Sequence, residues 1–196
     1  MRFSSAAVTT CLMLGCATNV QATWKADQPP PEPIHKFVVF GVTGSPSGRI
    51  AFEQALTKSL QEAGLPAIPG YDFVAYDEYP DRAEVTRRLQ AKGVDGALIT
   101  RIESQTDAIQ STSVIVATGV PVVGYYDYWM APAVAYGTYT TETTSSIVST
   151  VLFDLSNARA YWMARSSTTR TDPVKFAADL EPTVAQGLKS TGYIVP

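Results

Sequence analysis

The chain has 196 residues, of which 45% are hydrophobic and 17% charged, and its formal net charge is −3. That balance describes a globular chain and excludes an intrinsically disordered one. A mild negative charge without any Lys/Arg cluster also argues against nucleic acid and against anionic headgroups as electrostatic partners.

At the start, Arg2 leads into a short, mostly apolar run from Ala6 to Leu14, which stops at Gly15-Cys16. A basic start, an apolar stretch of about 7–15 residues and a small residue at the cleavage point form an export signal. The run is far below the ~20 apolar residues that cross a bilayer. With cysteine next, Leu12-Met13-Leu14-Gly15-Cys16 resembles the lipobox of bacterial lipoproteins. The resemblance implies that residues 1–15 are a signal peptide, removed before Cys16, and that the Cys16 thiol and new amine carry acyl chains such as palmitate. Ala17 stands where that family's inner-membrane retention signal usually has Asp, which implies the outer membrane, facing the periplasm. Two other readings stay open. Val20-Gln21-Ala22 is a small-x-small site whose cleavage would free a soluble periplasmic protein starting at Thr23, and the segment could be a buried helix with two ordinary cysteines. In the lipoprotein reading Cys11 leaves with the signal, and no thiol remains for a disulfide, a redox pair or a metal.

Residues 16–34 read as the lipidated cysteine followed by a tether. Pro29-Pro30-Pro31 and Pro33 make it stiff, and at about 3.1 Å per residue it would hold a domain up to roughly 50 Å from the membrane. A leader without a spacing role fits the same residues.

Residues 35–196 read as a single domain. Phe37-Val38-Val39-Phe40 is a continuous apolar run, as in a strand covered on both faces. Ser45-Pro46 caps and opens a helix that places Phe52, Leu56, Leu60 and Ala63 on one face and stops at Gly64. Phe73 to Tyr76 reads as a second strand. Asp81 and Glu84 form a capping box for a helix with Val85 and Leu89 inside, closed by Gly93. Ala97 to Ile102 is a third strand. Thr140 to Phe153, a turn at Asp154-Leu155-Ser156-Asn157, and Ala160 to Ser166 make an antiparallel hairpin. Asp172-Pro173 begins a last helix bearing Phe176, Leu180, Val184 and Leu188, which Pro182 is expected to kink or split. The expected fold is α/β: a mixed β-sheet with helices packed on it, βαβαβ followed by an antiparallel hairpin and a C-terminal helix.

In outline, the strand-Gly-loop-helix from Phe37 to Gly64, the segment Gly96-Ala97-Leu98-Ile99-Thr100-Arg101, the hairpin at Phe153-Asp154-Leu155 with Tyr161-Trp162, and the closing helix resemble a group of bacterial lipoproteins, many with domains of unknown function. The pattern is similar to the curli-secretion channel subunit, to lipoprotein activators of penicillin-binding proteins and to the amino-terminal domain of the Tol translocation protein. The resemblance implies an envelope role and carries no catalytic residue.

Chemistry-bearing patterns are sparse. The loop from Gly41 to Arg49 lies where phosphate loops lie, yet Gly44 and Gly48 have three residues between them and Arg49 follows, so neither the Walker nor the dinucleotide spacing is met. A tight strand-to-helix turn explains it as well. His35 is the sole histidine and precedes the first strand, which leaves no imidazole for a triad inside the domain and no ligand set for zinc. Asp72, Asp77, Glu78 and Asp81 could serve a cell-wall hydrolase or bind calcium; a solvated rim is the plainer reading. The segment from Val120 to Thr141 gathers Tyr125, Tyr126, Tyr128, Trp129, Tyr136 and Tyr139. Such side chains give large contact area at low entropic cost. Three readings apply: they pack on the domain's own sheet, they form a partner-protein surface centred on Tyr125, Tyr126, Tyr128 and Trp129, or they touch glycan or membrane.

The sequence therefore points to a lipid-anchored, non-enzymatic envelope protein that binds an envelope partner or itself, with no catalytic residue, cofactor or metal. The alternatives are a subunit of an oligomeric secretion or assembly complex and a cell-wall hydrolase.

Overall fold

The computed structural model describes residues 18–75, 78, 81–107, 124–130 and 144–195. Six strands, β1 (Thr18–Lys25), β2 (Phe37–Val42), β3 (Ala67–Pro69), β4 (Gly96–Asp107), β5 (Thr144–Asp154) and β6 (Ala160–Thr168), form one sheet in the order β1-β6-β5-β4-β2-β3. β2 runs parallel to β3 and β4, whereas β4, β5, β6 and β1 pair antiparallel in succession. The expected mixed sheet is thus present.

Among the described residues, four helices cover the sheet: α1 (Pro46–Glu62), α2 (Arg82–Gln90), α3 (Tyr125–Met130) and α4 (Pro173–Thr191). Successive residues of β2 explain the two layers, since alternate side chains of a strand point to opposite faces. Phe37 and Val39 join Phe52, Leu56 and Leu60 of α1 and Leu180, Val184 and Leu188 of α4. Val38 and Phe40 join Val85 and Leu89 of α2 and Tyr125, Tyr128 and Trp129 of α3. All four β2 side chains are fully buried, which is why this strand reads as an unbroken apolar run.

Local signals set the helix ends. Ser45 Oγ accepts from the Gly48 amide at 3.1 Å with Pro46 at the first helical position, and Asp81 accepts from the Glu84 amide at 2.8 Å. Gly64, Gly93 and Gly192 follow α1, α2 and α4 with φ of 78°, 68° and 69°. That left-handed backbone is cheap only for glycine.

The structure corrects three expectations. Residues 18–25, read as tether, form the edge strand β1, whose Thr18–Thr168 hydroxyl pair (2.9 Å) and Lys25 Nζ–Thr191 carbonyl bond (3.2 Å) fasten both of its ends. Its residues are mostly exposed, so no apolar pattern announces it. The second strand lies at Ala67–Pro69, not at Phe73–Tyr76. The carbonyls of Phe73 and Val74 are taken instead by the Arg88 and Arg49 guanidinium groups, each at 3.0 Å, and Tyr76 is outside the described residues. Finally, α4 is a single helix with Pro182 inside it, so the proline does not split it. Pro182 and Ala178 four residues earlier are both exposed, so the carbonyl that loses its helical donor faces water.

Candidate functional site

The parallel strand β2 ends at Val42, opposite Arg101, and β4 runs on beyond it to Asp107. In sheets of this kind the space beyond the carboxyl ends of parallel strands is where ligands bind. Here a cleft of about 300 Å³ opens between the amino ends of α1 and α4. Its walls are apolar: Val42, Ile102 and Pro173 with Phe52 and Phe176, whose rings stack at 5.4 Å. Thr43, Ser45, Gln105, Ser146, Arg170 and Asp172 form its polar rim.

The two helix ends at this rim are capped from within. Asp172 accepts from the amides of Val174 (2.9 Å) and Lys175 (3.0 Å). The Lys175 amide first, then that of Val174, holds the Asp172 carboxyl below its ordinary range. Arg170 Nε reaches Asp179 at 2.7 Å. The cleft is thus apolar at its walls and polar at its mouth, with Arg101 also among its lining residues.

Behind the loop of Gly41 to Arg49 lies a buried ion pair. Arg49 (5% exposed) donates to Glu53 (0%) at 2.7 Å and to the Val74 carbonyl at 3.0 Å. Glu53 also accepts from the amides of Gly41 (2.9 Å) and Tyr71 (2.6 Å). Burial pushes the Glu53 carboxyl above its ordinary range, against the pull of Arg49 and of both amides. Arg49 thus points into the protein, and the loop is a strand-to-helix turn held from below. Sequence reasoning missed Glu53. The available signal was an Arg–Glu pair at i, i+4 on the same face of α1 as Phe52 and Leu56.

The other singled-out residues have separate tasks. His35 is exposed at the end of the sheet opposite the cleft, with Nδ1 3.2 Å from Asp95, whose carboxylate also accepts from the His35 and Lys36 amides. Glu78 pairs with Arg88 at 2.7 Å, and that contact, with the Ala75 amide, holds its carboxyl below the ordinary range. Asp81 caps α2, Asp72 is exposed in a 3₁₀ turn after β3, and Asp77 is outside the described residues. Among the described residues, no three His, Cys, Asp or Glu side chains are grouped to hold a metal ion.

Cys16, Tyr136 and Tyr139 lie outside the described residues. The other four aromatics of that segment form α3. Tyr125 is 0%, Trp129 7% and Tyr128 8% exposed, and only Tyr126 is half-buried. Trp129 stacks on Phe40 at 4.4 Å, Tyr125 bonds to Thr86, and Tyr128 bonds to Ser149 while Arg101 lies 5.1 Å from its ring centre. Burial pushes the Tyr128 phenol up to about 12. Tyr125, Tyr128 and Trp129 are thus buried against the domain's own sheet, and Tyr126 is the most exposed of the four.

No protein-family model matches the chain, nor does a curated protein sequence. Among solved structures it is similar to the PelC dodecamer from Paraburkholderia phytofirmans, at 14% identity and a TM-score of 0.42 over 82% of this chain and 96% of that one. It is also similar to lipoprotein GNA1162 from Neisseria meningitidis, at 13% identity and a TM-score of 0.38 over 81% of this chain and 99% of that one.

Proposed function

We propose that this chain is a lipid-anchored protein of the bacterial cell envelope, held at the outer membrane with its domain in the periplasm, and that it acts by binding. The observation that carries the reading is Leu12-Met13-Leu14-Gly15-Cys16 behind a basic start and an apolar run, with Ala17 next. Two or more acyl chains anchor stably, since each buried CH₂ contributes ~0.8 kcal/mol. The disposition of the ionisable groups favours binding over turnover. Arg49 and Glu53, beside the cleft, are consumed by structural bonds, and His35 stands at the far end of the sheet.

Cells fed a labelled fatty acid test the anchor. The mature chain should carry the label, and Cys16→Ser should lose it and move the protein to the soluble fraction. A wild-type chain that is unlabelled and freely soluble refutes the reading. The hydrolase alternative predicts that Asp72→Asn or Asp81→Asn abolishes turnover of wall glycan while the fold persists.

A second reading, a subunit of an oligomeric envelope assembly, draws on β1. Among the described residues no strand covers its outer edge, and its eight residues carry one charge, Lys25. Such an edge offers unpaired backbone groups to a second copy. Sizing of the detergent-extracted protein separates an oligomer from a monomer.

A further inference from the structure

We infer that the domain sits directly against the bilayer, with the cleft end of its sheet facing the lipid. The inference rests on the proposed acylation of Cys16, and it follows from where β1 begins. Ala17 alone separates Cys16 from Thr18, the first residue of the strand. Two peptide steps span at most about 7.6 Å between Cα atoms, whatever their conformation. A lipid on Cys16 therefore leaves no stalk. The proline-rich residues 28–33 come after β1 and lead back along the far end of the sheet to β2, so they add nothing to the standoff.

The strand register identifies the end that is held down. Thr18 lies opposite Thr168, Thr168 opposite Ser146, and Ser146 opposite Gln105. Ser146 and Gln105 line the cleft, as do Ser45 and Pro173 at the amino ends of α1 and α4. At the other end lie the β5–β6 turn, the start of β2 at Phe37 opposite Gly96, and Gly96 opposite Asp154. That end is a strand length away: eight residues of β1 alone span about 24 Å.

The surface at the near end suits a bilayer. Four large apolar side chains are exposed among the described residues: Val20 (37%), Ile50 (44%), Val174 (51%) and Val195 (40%). Val20 is the third residue of β1, Ile50 the fifth of α1 and Val174 the second of α4. All three belong to the near end, whereas Val195 bonds to the Ile34 carbonyl at the far one. Beside them, Arg170 pairs with Asp179 and Asp172 accepts from the α4 amides, while Lys175 is exposed. Three exposed apolar side chains set among polar ones fit the interfacial layer of a zwitterionic membrane, without calling on anionic lipid.

Single cysteines placed in the mature, acylated protein and labelled with a fluorophore test this in phosphatidylcholine vesicles carrying headgroup nitroxides. The exposed positions are Ser47 and Thr169 at the near end, and Lys92 and Ser156 at the far one. The lipid-bearing Cys16 has no free thiol to compete for the dye. Most of the emission should be lost at Ser47→Cys and Thr169→Cys and retained at Lys92→Cys and Ser156→Cys. Equal quenching at both ends, stronger quenching at the far end, or none at either, in protein that floats with the vesicles, overturns the orientation and leaves the anchor standing. Protein that does not float overturns both.

Discussion

Replacing Glu53 by Ala attacks the buried ion pair beneath the loop of Gly41 to Arg49. The change leaves the Arg49 guanidinium, 5% exposed, with the Val74 carbonyl, and it strands the amides of Gly41 and Tyr71 that now donate to the carboxylate. Removing one partner of a buried pair costs about 3–5 kcal/mol, and an orphaned buried donor about 1–3 kcal/mol. Because these terms share one site they overlap, and a loss of about 4 kcal/mol is expected, a large part of a typical 5–15 kcal/mol. At roughly 2–4 °C per kcal/mol for a chain of this size, the midpoint should fall by about 8–16 °C. Burial already holds the Glu53 carboxyl above its ordinary range, so the pair itself does not fully offset its desolvation. Arg49→Met in the Glu53→Ala background should accordingly recover part of the loss, giving a coupling of about 2 kcal/mol between the two sites. Urea unfolding of the Cys16→Ser form and its variants measures all four corners of the cycle. A Glu53→Ala cost below about 1 kcal/mol, or single losses that simply add, refutes the reasoning.

The Tyr128 phenol is pushed from 10 up to about 12 by burial. Its neutral form therefore stabilises the fold below pH 10, and that contribution, roughly 3 kcal/mol, is lost as pH rises through about 12. Tyr128→Phe should flatten this alkaline limb in unfolding curves taken between those two values. A Cβ on Gly187 would lie 2.4 Å from Trp162 Cζ2. Gly187→Ala should then cost about 1–3 kcal/mol by overpacking, less about 1 kcal/mol of helix propensity, and Trp162→Phe in the same chain should reduce the loss. Changing Tyr125, Tyr126, Tyr128 and Trp129 together to Ser should collapse the thermal midpoint, since truncating one buried aromatic costs about 3–5 kcal/mol. An unmoved midpoint would show that α3 does not pack on Phe40. Asp81→Ala should cost about 1 kcal/mol through loss of the α2 cap, read by the same urea titration.

Much of the fold is legible in the chain because its signals are local. Ser45-Pro46, Asp81 with Glu84, and Asp172-Pro173 mark helix starts by chemistry confined to four residues, and Gly64, Gly93 and Gly192 mark the ends. The candidate cleft is less legible. Its lining comes from β2, α1, β4, β5 and the start of α4, and no spacing within one segment announces that these meet. The Phe73–Tyr76 strand failed for a related reason: its apolar residues suit a ladder, yet Arg49 of α1 and Arg88 of α2 capture its carbonyls.

By itself the amino-acid order determined the ends of α1, α2 and α4 and the doubly covered strand at Phe37–Phe40, since each depends on neighbours in sequence, whereas it did not mark α3. Only the tertiary structure decided that Thr18–Lys25 is a strand, that Arg49 and Glu53 are buried together beneath the loop, and that Tyr125, Tyr128 and Trp129 turn inward. These outcomes depend on partners brought from elsewhere: Thr18 is held by Thr168, 150 residues away, and Trp129 by Phe40. An edge strand with few apolar residues has no pattern of its own. The free energy that orders it comes from the ladder it completes, and that ladder exists only once the rest of the sheet has formed.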